Sequence, residues 1–415
     1  MIYLYRLLLN IILIFSPLII LFRLIKKKES PTRFWEKFCF FLKKRVSGKI
    51  LWFHGASVGE LQSIIPLLEK LVKKKEIKQI LITSNTLSST RIVQNFKSRK
   101  ITHQFFPIDT NFHTKKFINH WRPSLAIFID SEIWPNMITN LKEKKIAIGL
   151  INARITKKTF KRWSLFQNFS KKIFTKFDLC LSASKESLAY CKKLGIKNTK
   201  FYGNLKFSQS ENEKNSINTN LKRFIQSRKV WCASSTHHNE ENLCGEVHKQ
   251  LKKKYKNLLT IIIPRHIERI NRIEKDLKNL NLKTHLHKPT QKIDDKTDIY
   301  LVNTYGMTKS FFNICKNIFL GGSLINHGGQ NPLEATRYGC NVIHGPHISN
   351  FNEIYNFLKR NKVSYKISNQ NEMISILKKL FSKKSKSKEI EKKLYLIGQK
   401  VLNKTYNKIG LLIKK

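Results

Sequence analysis

Glu60 closes the segment His54-Gly55-Ala56-Ser57-Val58-Gly59-Glu60, which follows the apolar run Ile50-Leu51-Trp52-Phe53. Two glycines and two small residues let a backbone approach a ligand closely. A carboxylate where a helix begins is placed to act as a general base if the loop excludes water. The same residue could instead do no more than complement the helix dipole. A second acidic pair stands in Asp130-Ser131-Glu132, just before Ile133-Trp134-Pro135-Asn136. It reads equally as a second catalytic or orienting carboxylate, or as a helix N-cap with an acidic first turn.

The second half of the chain offers cations, hydroxyls and glycines. Arg265 follows the run Thr260–Ile263 and Pro264. Its guanidinium fork suits a phosphate or a carboxylate, because it donates two parallel hydrogen bonds. A surface ion pair with Glu268 is the alternative. Ser234, Ser235, Thr236, His237 and His238 follow another apolar run. The two histidines are adjacent, a poor spacing for two ligands on one metal, so no metal site is expected. The densest signal is GGSLINHGGQNPLEA, residues 321–335, with Gly322 and Ser323 in its first turn and Asn331-Pro332-Leu333-Glu334 near a helix start. Proline is tolerated there, and backbone N–H groups at a helix start bind anions such as a nucleotide phosphate. Glu334 would then accept hydrogen bonds from ribose hydroxyls. A plain glycine turn is the alternative, and the segment is neither a G-x-G-x-x-G fingerprint nor a Walker A loop.

These residues need elements to hold them. Short apolar runs at Ile50–His54, Gln79–Thr83, Leu125–Ile129, Ile146–Ile151, Asp178–Ser182 and Lys200–Tyr202 alternate with helical patterns. One such pattern places Leu61, Ile64, Ile65, Leu68, Leu71 and Val72 on one face, with Pro66 expected to kink it or mark its first turns. A polar stretch, Ser208 to Asn220, has linker composition. A second series follows at Val230–Ala233, Leu258–Ile263, Ile299–Val302, Ile318–Leu320 and Asn341–His344. Strand-then-helix repetition predicts doubly wound parallel α/β sheets in two domains, 29–207 and 226–388, joined by a linker at 208–225. A last helical segment, 389–415, could pack on either. In such sheets ligands bind beyond the carboxyl ends of the strands, which is where the residues above stand.

At 415 residues the chain has room for two domains, and 41% hydrophobic residues suffice to pack them. Lys+Arg number 79 against 27 Asp+Glu, a net charge of +52. Such a field favours anionic partners, whether nucleic acid, lipid headgroups or phosphorylated substrates, without choosing among them. The 7 cysteines are odd in number, scattered and without a C-x-x-C pair, so neither a zinc site nor a disulfide framework is indicated and a reducing compartment is expected. From Leu7 to Phe22 no charge occurs, and Arg23 and Lys26-Lys27-Lys28 follow. Residues 1–28 therefore read as an uncleaved membrane anchor or an inserted monotopic helix with a cytoplasmic basic flank, a cleaved signal being the alternative. A basic amphipathic stretch, Thr32 to Lys44, comes next.

In order along the chain, GASVGE (55–60), SEIWPN (131–136), NAR (152–154), GNLKF (203–207), STHHNEE (235–241), PRHIER (264–269) and GGSLINHGGQNPLEA (321–335) resemble the 3-deoxy-D-manno-octulosonic acid (Kdo) transferases of lipopolysaccharide synthesis. The resemblance implies a GT-B glycosyltransferase, with two Rossmann-like domains facing a central cleft. Its first domain would take a lipid A precursor (lipid IVA) and its second CMP-Kdo, with inverting transfer of Kdo and release of CMP. It implies Glu60 as the catalytic base on the acceptor hydroxyl, assisted by Glu132. Pro264, Arg265, Asn331, Pro332, Leu333 and Glu334 would bind CMP, and Lys206 would meet the Kdo carboxylate or a phosphate. Ser57, Ser235, Thr236, Tyr305, Gly306, Met307, Gly322 and Ser323 complete the donor-binding set. No cofactor or metal is implied. The expected setting is the cytoplasmic face of a bacterial inner membrane, among its anionic lipids. The chain departs from the family pattern at Asn303-Thr304-Tyr305-Gly306-Met307, where both acids of a D-T-x-G-E segment are absent, and at Gln330, where histidine is usual. Both departures bear on donor preference. Two other readings remain, a GT-B transferase using a UDP- or ADP-sugar and a membrane-tethered nucleic-acid-binding protein. The latter wants a recognisable reader module, and with no such signature no nucleic acid partner is expected.

Overall fold

Apolar runs that are buried on both faces pair in parallel and need helices to cover them. The computed structural model describes residues 1–94, 96, 98–209, 217–288, 291–382 and 387–414. The chain divides into two compact units, Met1–Ser210 with Ile397–Lys415, and Glu211–Leu396.

The first unit contains β1 (Lys49–His54), β2 (Ile77–Ser84), β3 (Ile101–Phe105), β4 (Leu125–Ile129), β5 (Ala147–Ala153), β6 (Leu179–Ser182) and β7 (Thr199–Phe201). They form one parallel sheet in the order β3-β2-β1-β4-β5-β6-β7. The chain winds one way from β1 to β3, then returns to lay β4 on the other side of β1. Alternate residues of β1 feed the two faces. Ile50 and Trp52 join one buried cluster with Phe117, Phe128 and Trp121, while Leu51 and Phe53 join the other with Ile64, Leu68 and Ile127. The last helix, Ser387–Lys414, belongs to this unit from Ile397 onward, and Val401, Leu402 and Ile409 complete the second cluster.

The second unit repeats the plan with β8 (Lys229–Thr236), β9 (Leu258–Pro264), β10 (Thr284–Leu286), β11 (Ile299–Leu301), β12 (Asn317–Leu320), β13 (Asn341–His344) and β14 (Ser364–Lys366). Its parallel order is β10-β11-β9-β8-β12-β13-β14, so the winding reverses between β8 and β12. In each sheet the strand order reverses at one place, and that switch point is where doubly wound sheets open a crevice for ligands.

Several expectations are corrected. β3, β10 and β14 are strands that sequence periodicity does not reveal, and each lies at a sheet edge with a single partner. Within the stretch Thr32 to Lys44 the regular structure is the short 3-10 helix Phe34–Phe38. Pro66 sits inside the helix Val58–Val72 with its side chain buried, and the helix continues past it. The amino-terminal run is two helices, Ile2–Ile14 and Ser16–Ile25, bent by 54°. Pro17 lacks an N–H and its ring crowds the carbonyl four residues back, so one straight helix cannot form. No single helix among the described residues is long and apolar enough to cross a membrane, although the bent pair passes that test by length and composition. The polar stretch 208–225 falls partly outside the described residues; from Thr219 it is the helix Thr219–Gln226, with Leu221 and Ile225 buried.

Candidate active site

In the first unit the switch point lies between β1 and β4, and both acidic motifs emerge there. After β1 the chain turns through Gly55 and starts the helix Val58–Val72, capped by Ser57. A side chain at Gly55 would press on Leu61, Ile129 and Glu60. Glu60 is the third residue of that helix. Its Oε2 accepts from Ala56 N at 2.7 Å and its Oε1 accepts from Ser57 Oγ at 2.9 Å. The first-turn placement that complements the helix dipole therefore holds. It does not make the residue inert, because burial, Asp130 and Glu132 together push its carboxyl up to about 7. A base of that strength is half ionised near neutrality and gains most from taking a proton there.

The acids after β4 do not cap the helix Pro135–Glu143, which begins at Pro135 with Trp134 before it and no side-chain cap of its own. That correction has a cause. Asp109 supplies the cap from another loop, accepting from Asn136 N at 3.1 Å and from Met137 N at 2.8 Å. Glu132 is thereby left to the site. Its Oε2 accepts from His54 Nε2 at 3.1 Å and from Trp134 Nε1 at 2.9 Å. Asp130 is buried with φ +55, and Asn152 Nδ2 donates to its Oδ1 at 2.5 Å. Burial raises the Asp130 carboxyl, and Lys206 and Asn152 oppose that rise. Asn152 Oδ1 also accepts from Leu205 N at 2.9 Å, so one asparagine ties the segment carrying Lys206 to Asp130. Glu60, Asp130, Glu132 and Lys206 are thus gathered at one sheet edge.

In the second unit the switch point lies between β8 and β12. Ser235 takes φ +56, and on either side of it the buried atoms Ser234 Oγ, Thr236 Oγ1 and His237 Nε2 have no hydrogen-bond partner among the described residues. Unsatisfied buried polar atoms are rare, and three at one strand end mark a place for a polar ligand. His237 lies 4.6 Å from His327 and 6.0 Å from His266, ring centre to ring centre. Burial lowers the basicity of His237, with His327 adding to that. Among the described residues no group of three His, Cys, Asp or Glu is arranged to hold a metal ion.

Arg265 follows β9 with an exposed side chain that makes no hydrogen bond among the described residues. The ion pair with Glu268 does not form; Tyr305 Oη donates to Glu268 Oε1 at 3.0 Å instead. Pro264 is buried behind Arg265. Gly306 has φ +85 with open space around it, and Met307 packs on the core. Asn331 caps the short helix Pro332–Arg337, its side chain accepting from Leu333 N at 3.2 Å. Pro332 and Leu333 point inward, and Glu334 lies in the first turn.

In the first glycine turn, the amides of Gly322 and Ser323 are taken by Glu240. Its carboxylate accepts from Gly322 N at 2.8 Å, Ser323 N at 3.3 Å, Leu324 N at 3.2 Å and His237 N at 2.9 Å. Ser323 is fully buried, with Oγ donating to Leu320 O at 2.5 Å and accepting from Gly345 N at 2.9 Å. Neither polar group of Ser323 is open to a ligand. Glu240, His54, Asp109 and Asn152 hydrogen-bond to the segments at these strand ends, and sequence reasoning passes over them. His54, Asn152 and Glu240 all stand inside or beside the motifs quoted above, and that adjacency was the available signal.

Comparison with known proteins decides the family. Residues 32–209 match the family model described as 3-Deoxy-D-manno-octulosonic-acid transferase (kdotransferase). The 3-deoxy-D-manno-octulosonic acid transferase of Rickettsia bellii is 34% identical over 371 residues, covering 87% of this chain and 86% of that protein. The chain belongs to the Kdo transferase family. The enzyme of the same description from Aquifex aeolicus is 30% identical over 352 residues, covering 84% of this chain and 90% of the relative. Among solved structures, UDP-GlcNAc 2-epimerase from Neisseria meningitidis aligns with a TM-score of 0.59 over 88% of this chain and 100% of that one. At 14% identity this likeness shows the fold alone, two parallel α/β units of the GT-B class. The Kdo transferase is accordingly a glycosyltransferase, and the carboxylates at its first switch point are candidates for its chemistry.

Proposed function

We propose that this Kdo transferase moves Kdo from CMP-Kdo to a lipid A precursor, lipid IVA, with inversion and release of CMP, as a step in building the lipopolysaccharide core. The observation that carries the reading is Glu60, seated at the switch point of the first sheet with a carboxyl raised to about 7 by burial, Asp130 and Glu132. Its carboxylate takes the proton of an acceptor sugar hydroxyl. The hydroxyl oxygen then forms a bond to the anomeric carbon of Kdo, the bond to the CMP phosphate oxygen breaks, and the phosphate leaves with the electron pair. The charge that develops on CMP calls for cations and oriented N–H groups. Arg265, with no internal partner for its guanidinium among the described residues, suits the phosphate, and the orphaned hydroxyls of Ser234 and Thr236 suit polar atoms of the donor.

A phosphorylated lipid acceptor also fits the amino terminus. Leu7, Leu8, Ile12, Leu18, Ile19 and Phe22 are exposed on the bent helix pair, and Lys26, Lys27 and Lys28 follow. Apolar side chains beside a basic flank support attachment at the cytoplasmic face of an inner membrane rich in anionic lipids.

The test is incubation of the full chain in detergent micelles with CMP-Kdo and a tetraacylated lipid A precursor, with product masses read to count the sugars added. A panel of UDP- and ADP-sugars runs beside it. Transfer from one of those and none from CMP-Kdo would overturn the reading.

A further inference from the structure

His54 ends β1 on the face that Ile50 and Trp52 supply to the core, and it is fully buried. A buried imidazole in an apolar layer needs partners for both nitrogens. Trp52 Nε1 donates to Thr83 Oγ1 at 2.9 Å, and Thr83 Oγ1 lies 2.9 Å from His54 Nδ1. Nδ1 also lies 3.3 Å from Thr83 O, and Nε2 lies 3.1 Å from Glu132 Oε2, so the ring bridges Thr83 and Glu132 with one nitrogen toward each. The ring stacks on Phe106 at 3.8 Å, with Phe128 and Trp134 at its edge, so it has little freedom to turn. Trp134 Nε1 meets the same Oε2 at 2.9 Å. Both donors thus hold one oxygen of Glu132, while Oε1 accepts no hydrogen bond among the described residues.

The geometry points to His54 as a positioning residue for transfer, holding the Glu132 side chain in place through the chain Trp52–Thr83–His54–Glu132. This rests on Glu60 being the base. The consequence is electrostatic. A carboxylate fixed close to Glu60 disfavours its ionisation and so strengthens it as a base, and the contacts with His54 and Trp134 fix where the Glu132 carboxylate lies. The other charged groups around Glu60 are Asp130, which acts in the same sense as Glu132, and Lys206 and Arg154, which act on Asp130.

Five variants of the full chain test this with CMP-Kdo and a tetraacylated lipid A precursor. His54→Phe keeps the ring stack and removes both nitrogens; it should lower kcat by about tenfold or more while KM for CMP-Kdo stays put. The acid limb of its kcat profile should fall by about one pH unit as Glu60 becomes a weaker base. Glu132→Gln should move the limb the same way, and the double variant should move it no further. His54→Gln, whose amide N–H reaches toward Glu132, should recover part of the rate. An unmoved limb in His54→Phe, additive shifts in the double variant, or an equal loss in His54→Gln would each overturn the proposal. Glu60→Gln separates the two readings. If it turns over at the parent rate, the base assignment fails; if it is inactive and His54→Phe keeps the parent limb, only the role of His54 fails. Thermal unfolding of the same single and double variants gives a readout free of turnover, in which coupled effects are expected and strictly additive ones would reject the link.

Discussion

Tyr5 and Asp109 are joined by a hydrogen bond of 2.8 Å from the phenol oxygen to Oδ2, across 104 residues of sequence. Asp109 is 2% exposed, and its remaining bonds cap the helix that follows Trp134. Arg6 Nε adds a bond of 2.9 Å to Asn136 Oδ1. The first amino-terminal helix is thus tied to the loop that presents Glu132. Tyr5→Phe leaves a buried carboxyl one donor short, which should cost about 1 kcal/mol and lower the unfolding temperature. Calorimetry of the variant checks it, and an unchanged transition would deny the bond any weight.

Glu60→Gln should cut kcat by about 100-fold or more, the usual scale for a lost general base. Its stability should change in the opposite sense. The folded Glu60 carboxyl is raised from 4.5 to about 7, mainly by burial, so between those values the folded state binds more protons than the unfolded one. The contribution to stability is fully present below about pH 4.5 and is lost as pH rises through about 7. Glutamine removes that dependence. The advantage of Glu60→Gln in unfolding temperature should therefore grow between about pH 5 and about pH 8, as paired thermal scans would read.

Glu240→Gln keeps the size of the side chain but turns an amide N–H toward backbone N–H groups. With four of those donors converging on the present carboxylate, the change should cost about 2 kcal/mol or more. Loosening of the turn after β12 should also weaken CMP binding. Calorimetric titration with CMP, set beside a melting curve, distinguishes loss of the loop from loss of the whole unit.

Arg265→Ala should leave unfolding nearly unchanged, within roughly 0.5 kcal/mol, because its exposed side chain makes no internal hydrogen bond. CMP affinity should fall by about tenfold or more, the scale of one charged hydrogen bond. Equal affinity in the variant and the parent would remove Arg265 from the phosphate site.

The central strands were legible in the sequence because a strand buried on both faces must be apolar throughout. Leu125–Ile129 and Leu258–Pro264 are buried along their whole length. Of the four edge strands, only Thr199–Phe201 was. Ile101–Phe105 mixes Thr, His and Gln with apolar residues, and Thr284–Leu286 and Ser364–Lys366 are three residues long. Such segments become strands because a neighbour already offers its hydrogen bonds. The bend of the amino terminus was foreshadowed by Pro17, yet its angle is a property of the folded chain.

For the site, residue types and spacing by themselves set Glu60 at a strand-to-helix turn, since short loops after apolar runs can be read locally. Tertiary structure alone decided the surroundings of each acid. The Glu60 carboxyl is raised chiefly because the fold buries it, and further because Asp130 and Glu132, some seventy residues away in sequence, arrive beside it from β4. Glu240 fills the amides of Gly322 and Ser323 only because β8 and β12 are neighbours in the sheet. Electrostatics and hydrogen bonds act through distance in space, and winding the sheet about its switch points is what creates those distances.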